Sequence, residues 1–439
     1  MPSGIIPRIW AGAATAAAPG LRCWLLLRLR RRKEVAGRLA ERRGHEREPR
    51  PAGRLIWLHA ASVGETMSIL PVLAALQARA PALNLLVTTG TVTSAELLAS
   101  RLTPPGRVLH RFVPLDVPAW ARRFLDHWRP DAAVFVESEL WPNLLDACRR
   151  RRIPLMLVNA RLSARSFARW ARVPGFARHV LGGFTLIQAQ SEADAARLRN
   201  LGARAVTAPG NLKFAALPLP VDAAMLADLR QRIDGRPVWL AASTHPGEEA
   251  LVFAAHRTLA AAHPGLLTIV APRHPDRGAR LATEAGDLAL ARRGAGEGPP
   301  DQGVWLADTL GEMGLWYRLA RIAFVGRSLL PPGGGQNPLE PARLGCAIAV
   351  GPHTGNFTAV VQTLAEGGAL HRLQDAAGLA CWVDAMLRDP DAREVMGLAA
   401  AALASRYADL PDRTAAALLD LLPVSSPDSP AGRHLGAAA

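Results

Sequence analysis

The residues best suited to chemistry lie just after apolar runs. Leu55-Ile56-Trp57-Leu58-His59-Ala60-Ala61-Ser62-Val63-Gly64-Glu65 reads as a strand, a small-residue turn and the opening of a helix. That helix continues through Ile69, Leu70, Val72, Leu73 and Leu76 at three- and four-residue spacing. A carboxylate at Glu65, beside free helix N–H groups, has the placement of a general base. The same carboxylate also complements the helix dipole, and spacing alone leaves both readings standing. A second acidic group, Glu137-Ser138-Glu139-Leu140-Trp141-Pro142-Asn143, comes after the apolar run 132–136. Extended-chain alternation puts Glu137 and Glu139 on one face, and two carboxylates there call for a nearby cation or proton. Asn159-Ala160-Arg161-Leu162-Ser163 and Gly210-Asn211-Leu212-Lys213-Phe214, each after a later strand, offer that cation in Arg161 and Lys213.

The second half carries a different chemistry. Ala271-Pro272-Arg273-His274-Pro275 comes after an apolar run, and the fork of Arg273 matches phosphate oxygens. Gly311-Glu312-Met313 opens a helix whose N–H groups suit an anion or a base edge. Gly333-Gly334-Gly335-Gln336-Asn337-Pro338-Leu339-Glu340-Pro341 combines glycines that admit a ligand to the backbone with a helix start. Pro338 suits the first helical position with Asn337 as cap, and Glu340 is placed for ribose hydroxyls.

The elements that position these residues alternate regularly. Strands are expected near 55–60, 83–88, 108–113, 132–136, 154–158, 185–189 and 204–208. Helices are expected around 65–79, 93–101, 118–128, 141–151, 164–181 and 191–200. After a Pro-rich linker at 215–222, strands recur near 237–242, 266–271, 287–291, 303–307, 321–325, 346–350 and 368–370, again separated by helices. Further helices are expected at 375–388 and 391–421. Such alternation predicts two α/β domains, each a doubly wound parallel sheet, facing across a cleft.

Composition narrows the function classes. The 439 residues carry a formal charge of +15, but residues 1–54 hold thirteen Arg or Lys against four Glu. The excess therefore sits beside the apolar segment 9–29, which suits an anionic lipid surface and argues against nucleic acid as a partner. The longest uncharged stretch there, Ile9–Leu21, is 13 residues, short of the ~20 needed to span a bilayer. Ala14-Thr15-Ala16 has the form of a signal-peptide cleavage site, yet the basic cluster comes after the apolar region instead of preceding it. The segment reads as an interfacial or tilted anchor with Trp10 and Trp24 at headgroup level; a surface helix packed on the protein is the alternative. Only two basic residues are lysines, Lys33 and Lys213, which makes Lys213 a compositional exception. Four cysteines without CxxC spacing point to a reducing compartment and no metal site. Neither GxGxxG nor GxxxxGK[ST] is present, which argues against dinucleotide enzymes and P-loop NTPases.

Taken in order, Ser62-Val63-Gly64-Glu65, Glu137 to Asn143, Asn159 to Ser163, Gly210 to Phe214, Pro272 to Pro275, Gly311 to Met313, Asn337 to Pro341 and Gly351-Pro352-His353 resemble the bacterial 3-deoxy-D-manno-octulosonic acid (Kdo) transferases. The resemblance covers about residues 35–420. It implies a GT-B glycosyltransferase of two Rossmann-like domains, inverting, with CMP-Kdo as donor and a lipid A precursor (lipid IVA) as acceptor, in lipopolysaccharide biosynthesis. It implies Glu65 as general base, and Glu137 and Lys213 supporting the transition state. It places CMP contacts on Pro272, Arg273, Gly311, Glu312, Met313, Asn337, Pro338, Leu339 and Glu340. The residues themselves add Ser62, Gly64, Glu139 and Arg161 as further cleft candidates, with Arg161 equally readable as a surface residue. No metal and no cofactor are implied, and the location is the cytoplasmic face of the inner membrane.

The resulting domain plan is a membrane-associated segment 1–33, an acceptor domain 34–214, the linker 215–222, a CMP-sugar domain 223–424 and a disordered tail 425–439. Three departures from the family pattern are Gln336, where members often carry His, the segment Thr88-Thr89-Gly90-Thr91-Val92-Thr93, and Ala215 in place of Asp. Two other classes share these features: a GT-B enzyme acting on a UDP-sugar, transferase or epimerase, and a non-catalytic lipid-surface binding protein. Glu65 and Glu137 weigh against the second.

Overall fold

The computed structural model describes residues 5–101, 107–215 and 219–422; the centre of the expected linker, 216–218, and the tail 425–439 lie outside them. Two compact units emerge, one of residues 1–216 with 409–439 and one of residues 217–408.

Unit 1 begins with α1 (Ile5–Arg30) and then alternates β1 (Leu55–Ala60), α2 (Val63–Arg79), β2 (Asn84–Thr89), α3 (Val92–Arg101), β3 (Val108–Phe112), α4 (Pro118–Trp128), β4 (Ala132–Val136) and α5 (Pro142–Arg150). It continues with β5 (Leu155–Ala160), α6 (Ala164–Ala171), α7 (Pro174–Leu181), β6 (Leu186–Ala189), α8 (Glu192–Asn200) and β7 (Val206–Thr207). The strands pair in parallel in the order β3-β2-β1-β4-β5-β6-β7. Helices cover both faces, so β1, β2, β4 and β5 are buried at every position, which is why their sequences are continuous apolar runs and not alternating ones. Trp57 of β1 anchors the core, with ring centroids 4.9 Å from Phe124 and 5.2 Å from Phe135. The strand order reverses between β1 and β4, which opens a crevice at their carboxyl ends.

Unit 2 runs through α9 (Ala223–Arg232), β8 (Val238–Thr244), α10 (Glu248–Ala260), β9 (Leu267–Pro272), α11 (Gly278–Glu284), β10 (Leu290–Arg292), β11 (Gly303–Leu306), α12 (Met313–Ala320) and β12 (Ile322–Val325). It ends with α13 (Leu339–Arg343), β13 (Ala347–Val350), α14 (Thr358–Glu366), β14 (His371–Arg372), α15 (Ala377–Arg388) and α16 (Pro390–Ser405). Its parallel order is β10-β11-β9-β8-β12-β13-β14, and its reversal lies between β8 and β12.

The last strand, expected near 368–370, lies at 371–372, and four larger departures concern helices. The helix expected over 164–181 is two helices, because Pro174 has no N–H to continue α6 and instead starts α7. The helix α9 was not expected; Asp222 caps it by accepting from the N–H groups of Ala224 and Met225. The helix expected over 391–421 is also two, and the second, α17 (Leu410–Asp420), belongs to unit 1, not to the CMP-sugar domain of 223–424. There Leu410 and Leu418 are buried, and the Thr414 hydroxyl donates to Gln188 at 2.9 Å.

The fourth is α1, which starts earlier than expected and packs along α4 and α5. Leu25 is buried, and the Trp10 indole N–H donates to Asp116 at 3.3 Å. Ile9, Trp10, Trp24, Leu26 and Leu27 stay exposed, while Ile6, Leu21 and Leu29 are half-buried. Among the described residues no helix is long and apolar enough to cross a membrane.

Candidate active site

The turn after β1 builds the first half of the unit 1 site. Ser62 caps α2, its hydroxyl oxygen accepting from the Glu65 N–H at 3.4 Å. The Glu65 carboxylate reaches back, accepting from the Ser62 hydroxyl at 2.9 Å and from the Ala61 N–H at 2.7 Å. This is a capping-box arrangement, so the helix-capping reading of Glu65 is realised. The residue is also only 9% exposed. Burial pushes its pKa up, the negative charges of Glu139 and Glu137 push it further, and the two hydrogen bonds pull against them. A carboxyl of raised pKa at a switch point is a better proton acceptor than an exposed one. Capping and base chemistry are therefore compatible in one side chain.

The same turn is braced from the end of β2 and from the segment before β1. Gly90 donates its N–H to the Ala61 carbonyl at 3.0 Å, and a Cβ on Gly90 would lie 2.7 Å from that oxygen, so the approach needs glycine. Arg42, buried, donates to the Gly90 carbonyl at 2.7 Å and to Glu34 at 2.9 Å. Glu34 also accepts from Arg28 at the end of α1, at 2.8 Å.

The acids after β4 do not sit on one face as alternation suggested. Glu137 has φ of 55°, a left-handed conformation that ends the extended strand at Val136 and turns the chain in a new direction. Each carboxylate then finds its own partners. Lys213 Nζ lies 2.6 Å from Glu137 Oε1, inside the same unit. Asn159, itself at φ of 52°, accepts the Leu212 N–H at 2.9 Å and so fixes the turn that carries Lys213. Glu139 accepts from the Trp141 indole at 2.6 Å and lies 3.3 Å from His59 Nε2. Burial raises the Glu139 carboxyl, but these partners outweigh it and hold its pKa below the ordinary value.

Arg161 is exposed; its carbonyl accepts the Ser138 hydroxyl at 2.8 Å, and its side chain has no ion pair among the described residues. A Cβ on Gly64 would meet nothing within 4 Å, so Gly64 faces open space beside Glu65. Asn143 is a brace: its side chain donates to the Asp116 carbonyl at 2.7 Å, and Asp116 in turn takes the Leu144 N–H at 2.8 Å.

In unit 2, Pro272 ends β9 and Arg273 is exposed just beyond it, its N–H donating to the Thr244 carbonyl at 3.0 Å. Gly311 has φ of 85° and is exposed. Glu312 is held by Arg293 at 2.8 Å and by the Thr309 hydroxyl, and Met313 starts α12. The short helix α13 begins at Leu339, one residue later than expected, with Pro338 at its cap. Asn337 still accepts the Leu339 N–H at 3.2 Å, and its amide donates to Glu340 at 3.3 Å.

Two groups escaped the sequence reading. Glu248, buried at the start of α10, accepts N–H groups from His245, Arg327, Ser328 and Leu329 and thereby stitches the β8 turn to the β12 turn. His59 is the other, and its only local signal was a polar residue inside an otherwise apolar strand.

The chain matches the family described as 3-Deoxy-D-manno-octulosonic-acid transferase (kdotransferase) over residues 37–216. It is 36% identical over 425 residues to the 3-deoxy-D-manno-octulosonic acid transferase of Bordetella pertussis, covering 94% of this chain and 99% of that one. It is 34% identical over 400 residues to a probable mitochondrial 3-deoxy-D-manno-octulosonic acid transferase of Arabidopsis thaliana, covering 88% and 89%. Among solved structures, a UDP-N-acetylglucosamine 2-epimerase aligns with a TM-score of 0.57 at 14% identity, over 88% of this chain and 100% of that chain, a likeness of fold alone. The fold is GT-B, with two Rossmann-like α/β units.

Proposed function

This chain belongs to the 3-deoxy-D-manno-octulosonic acid transferase family, and from that premise we propose how its residues carry out the transfer. The protein is a glycosyltransferase that moves Kdo in lipopolysaccharide biosynthesis, from CMP-Kdo to a lipid A precursor. Glu65 takes the proton of an acceptor sugar hydroxyl. The freed oxygen attacks the anomeric carbon of Kdo in line with the departing CMP, the bond to the phosphate oxygen breaks, and configuration inverts. The observation that carries this reading is the Glu65 carboxyl itself: 9% exposed, at the switch point of its sheet and raised in pKa.

Lys213, paired with Glu137, offsets negative charge beside the reacting sugar. In unit 2, Arg273 and the N–H groups around Gly311 to Met313 take the CMP phosphate, while Asn337 to Glu340 hold its nucleoside. The exposed Ile9, Trp24, Leu26 and Leu27 of α1, next to the basic run Arg28 to Lys33, rest on the cytoplasmic surface of the inner membrane.

The test is Glu65→Gln. Glutamine can still accept the Ala61 N–H through its amide oxygen and turn its NH2 to donate to the Ser62 hydroxyl, but it takes no proton, so it separates base from cap. General-base assistance is worth roughly 10²–10⁴-fold. The expected result is a loss of at least about a hundredfold in kcat, with Tm and CMP binding unchanged. Near-wild-type turnover would sink the assignment.

A further inference from the structure

His59 lies on β1, fully buried, two residues before the Ala61 N–H that holds Glu65. Both its ring nitrogens are engaged. Nδ1 is 3.1 Å from the Thr88 hydroxyl and 3.2 Å from the Thr88 carbonyl. That hydroxyl also accepts the Trp57 indole N–H at 2.8 Å. Nε2 is 3.3 Å from Glu139, a carboxylate that only accepts. If the Thr88 hydroxyl donates to Nδ1, the neutral ring carries its proton on Nε2. If Nδ1 donates to the Thr88 carbonyl, Nε2–H facing a carboxylate requires the imidazolium. Either way Nε2 bears a proton and donates to Glu139.

We propose that His59 is a positioning residue whose Nε2–H pins the Glu139 carboxylate at the carboxyl end of β1, and that this fixed negative charge keeps Glu65 a strong proton acceptor. The proposal rests on Glu65 being the base. The relay Trp57 to Thr88 to His59 to Glu139 crosses β2, β1 and the β4 turn, so Glu139 is held by the sheet itself and not by its own loop. The Trp141 indole closes the other side. Two carboxylates in one crevice are thereby driven apart in function: Glu139 stays ionised, while Glu65 is left avid for a proton.

The charged groups around Glu65 are few. The β4 turn brings Glu139 and Glu137, and Lys213 is tied to Glu137. Packed on α2, α3 carries Glu96 and Arg101, and α17 carries Asp412, Arg413 and Asp420, with Asp412 bound to Arg79 at the far end of α2.

The experiment is the pH profile of kcat/KM for the full-length protein with CMP-Kdo and a lipid A precursor. Wild type is compared with Glu139→Gln, His59→Leu and His59→Gln, with Tm and CMP binding measured for each. Removing a neighbouring like charge lowers a carboxyl's pKa by roughly one unit, so Glu139→Gln should move the acid limb about one unit toward lower pH. His59→Leu strips the donor that keeps Glu139 ionised and in place, so Glu139 takes up a proton or turns away and the limb should move in the same direction. His59→Gln keeps an N–H where Nε2 stood and should keep the wild-type limb. A folded His59→Leu whose limb does not move overturns the positioning role. A folded Glu139→Gln with an unmoved limb overturns the charge effect, even if His59→Leu fails to fold. Failure of the base reading is a separate result, read from turnover in Glu65→Gln.

Discussion

At the scale of single residues, Gly64 separates room for a ligand from the needs of folding. It has a helical conformation, and added atoms would meet open space. Glycine in a helix costs about 0.5–1 kcal/mol relative to alanine, so folding alone favours replacing it. Gly64→Ala should therefore raise Tm slightly, while Gly64→Leu should keep Tm and raise the acceptor KM severalfold with the CMP-Kdo KM unchanged. An unchanged acceptor KM in a folded Gly64→Leu would show that the space is not used. Glu137 shows the converse economy: a non-glycine residue at φ of 55° is strained, and it persists where Lys213 holds its carboxylate.

At the scale of elements, the segment between α1 and β1 has no strand or long helix to hold it, and buried charge does the work instead. Glu46 sits against Arg111 at 3.2 Å with its side chain 1% exposed, beside a 430 Å³ cavity lined by Arg38, Glu41 and His110. Burial pushes the Glu46 carboxyl up to about 7 from an ordinary 4.5. A carboxyl raised on folding contributes stability that is complete below its unfolded pKa and is lost as pH rises through the folded value. Relative to Glu46→Gln, the wild type should thus lose up to about 3 kcal/mol between pH 4.5 and 7, read as a Tm difference that widens against it across that window. A constant difference would mean that Glu46 is ionised throughout.

Much of this architecture was legible in advance. β1 and β4 lie at the expected 55–60 and 132–136, because buried parallel strands announce themselves as short apolar runs. The break at Pro174 is a consequence of proline chemistry but was masked by the apolar period running through it. The short α9, with Leu226 and Leu229 buried and Ile233 buried just past its end, lay against a Pro-rich stretch that suggested only a linker. The acids at 65, 137 and 139 and the lysine at 213 were visible by type and place. Their pairings were not, since the His59 to Glu139 contact joins residues 80 apart through strand register, and Glu137 turns on a backbone angle that no local pattern encodes.

At the scale of the whole molecule, charge is distributed by task. The net +15 is concentrated ahead of β1, where α1 leaves Ile9, Trp24, Leu26 and Leu27 uncovered. Deleting residues 1–33 should sharply reduce sedimentation with anionic vesicles and leave the fold, because the Glu34 to Arg42 clamp on the β2 turn survives the cut. A truncated protein that still sediments fully after a high-salt wash would refute the lipid-surface role. The truncation also removes Arg28, whose bond to Glu34 links the end of α1 to that clamp, so turnover on dispersed acceptor measures whether the link matters.

The return of α17 to unit 1 carries a consequence for how the protein is made. The ribosome completes unit 2 before it delivers the helix that packs on α2, the helix bearing Glu65. Until the chain reaches Leu418, the Gln188 side chain and the outer face of α2 wait without the partners that bury them. The half of the enzyme proposed to hold the catalytic base is begun first in synthesis and finished last.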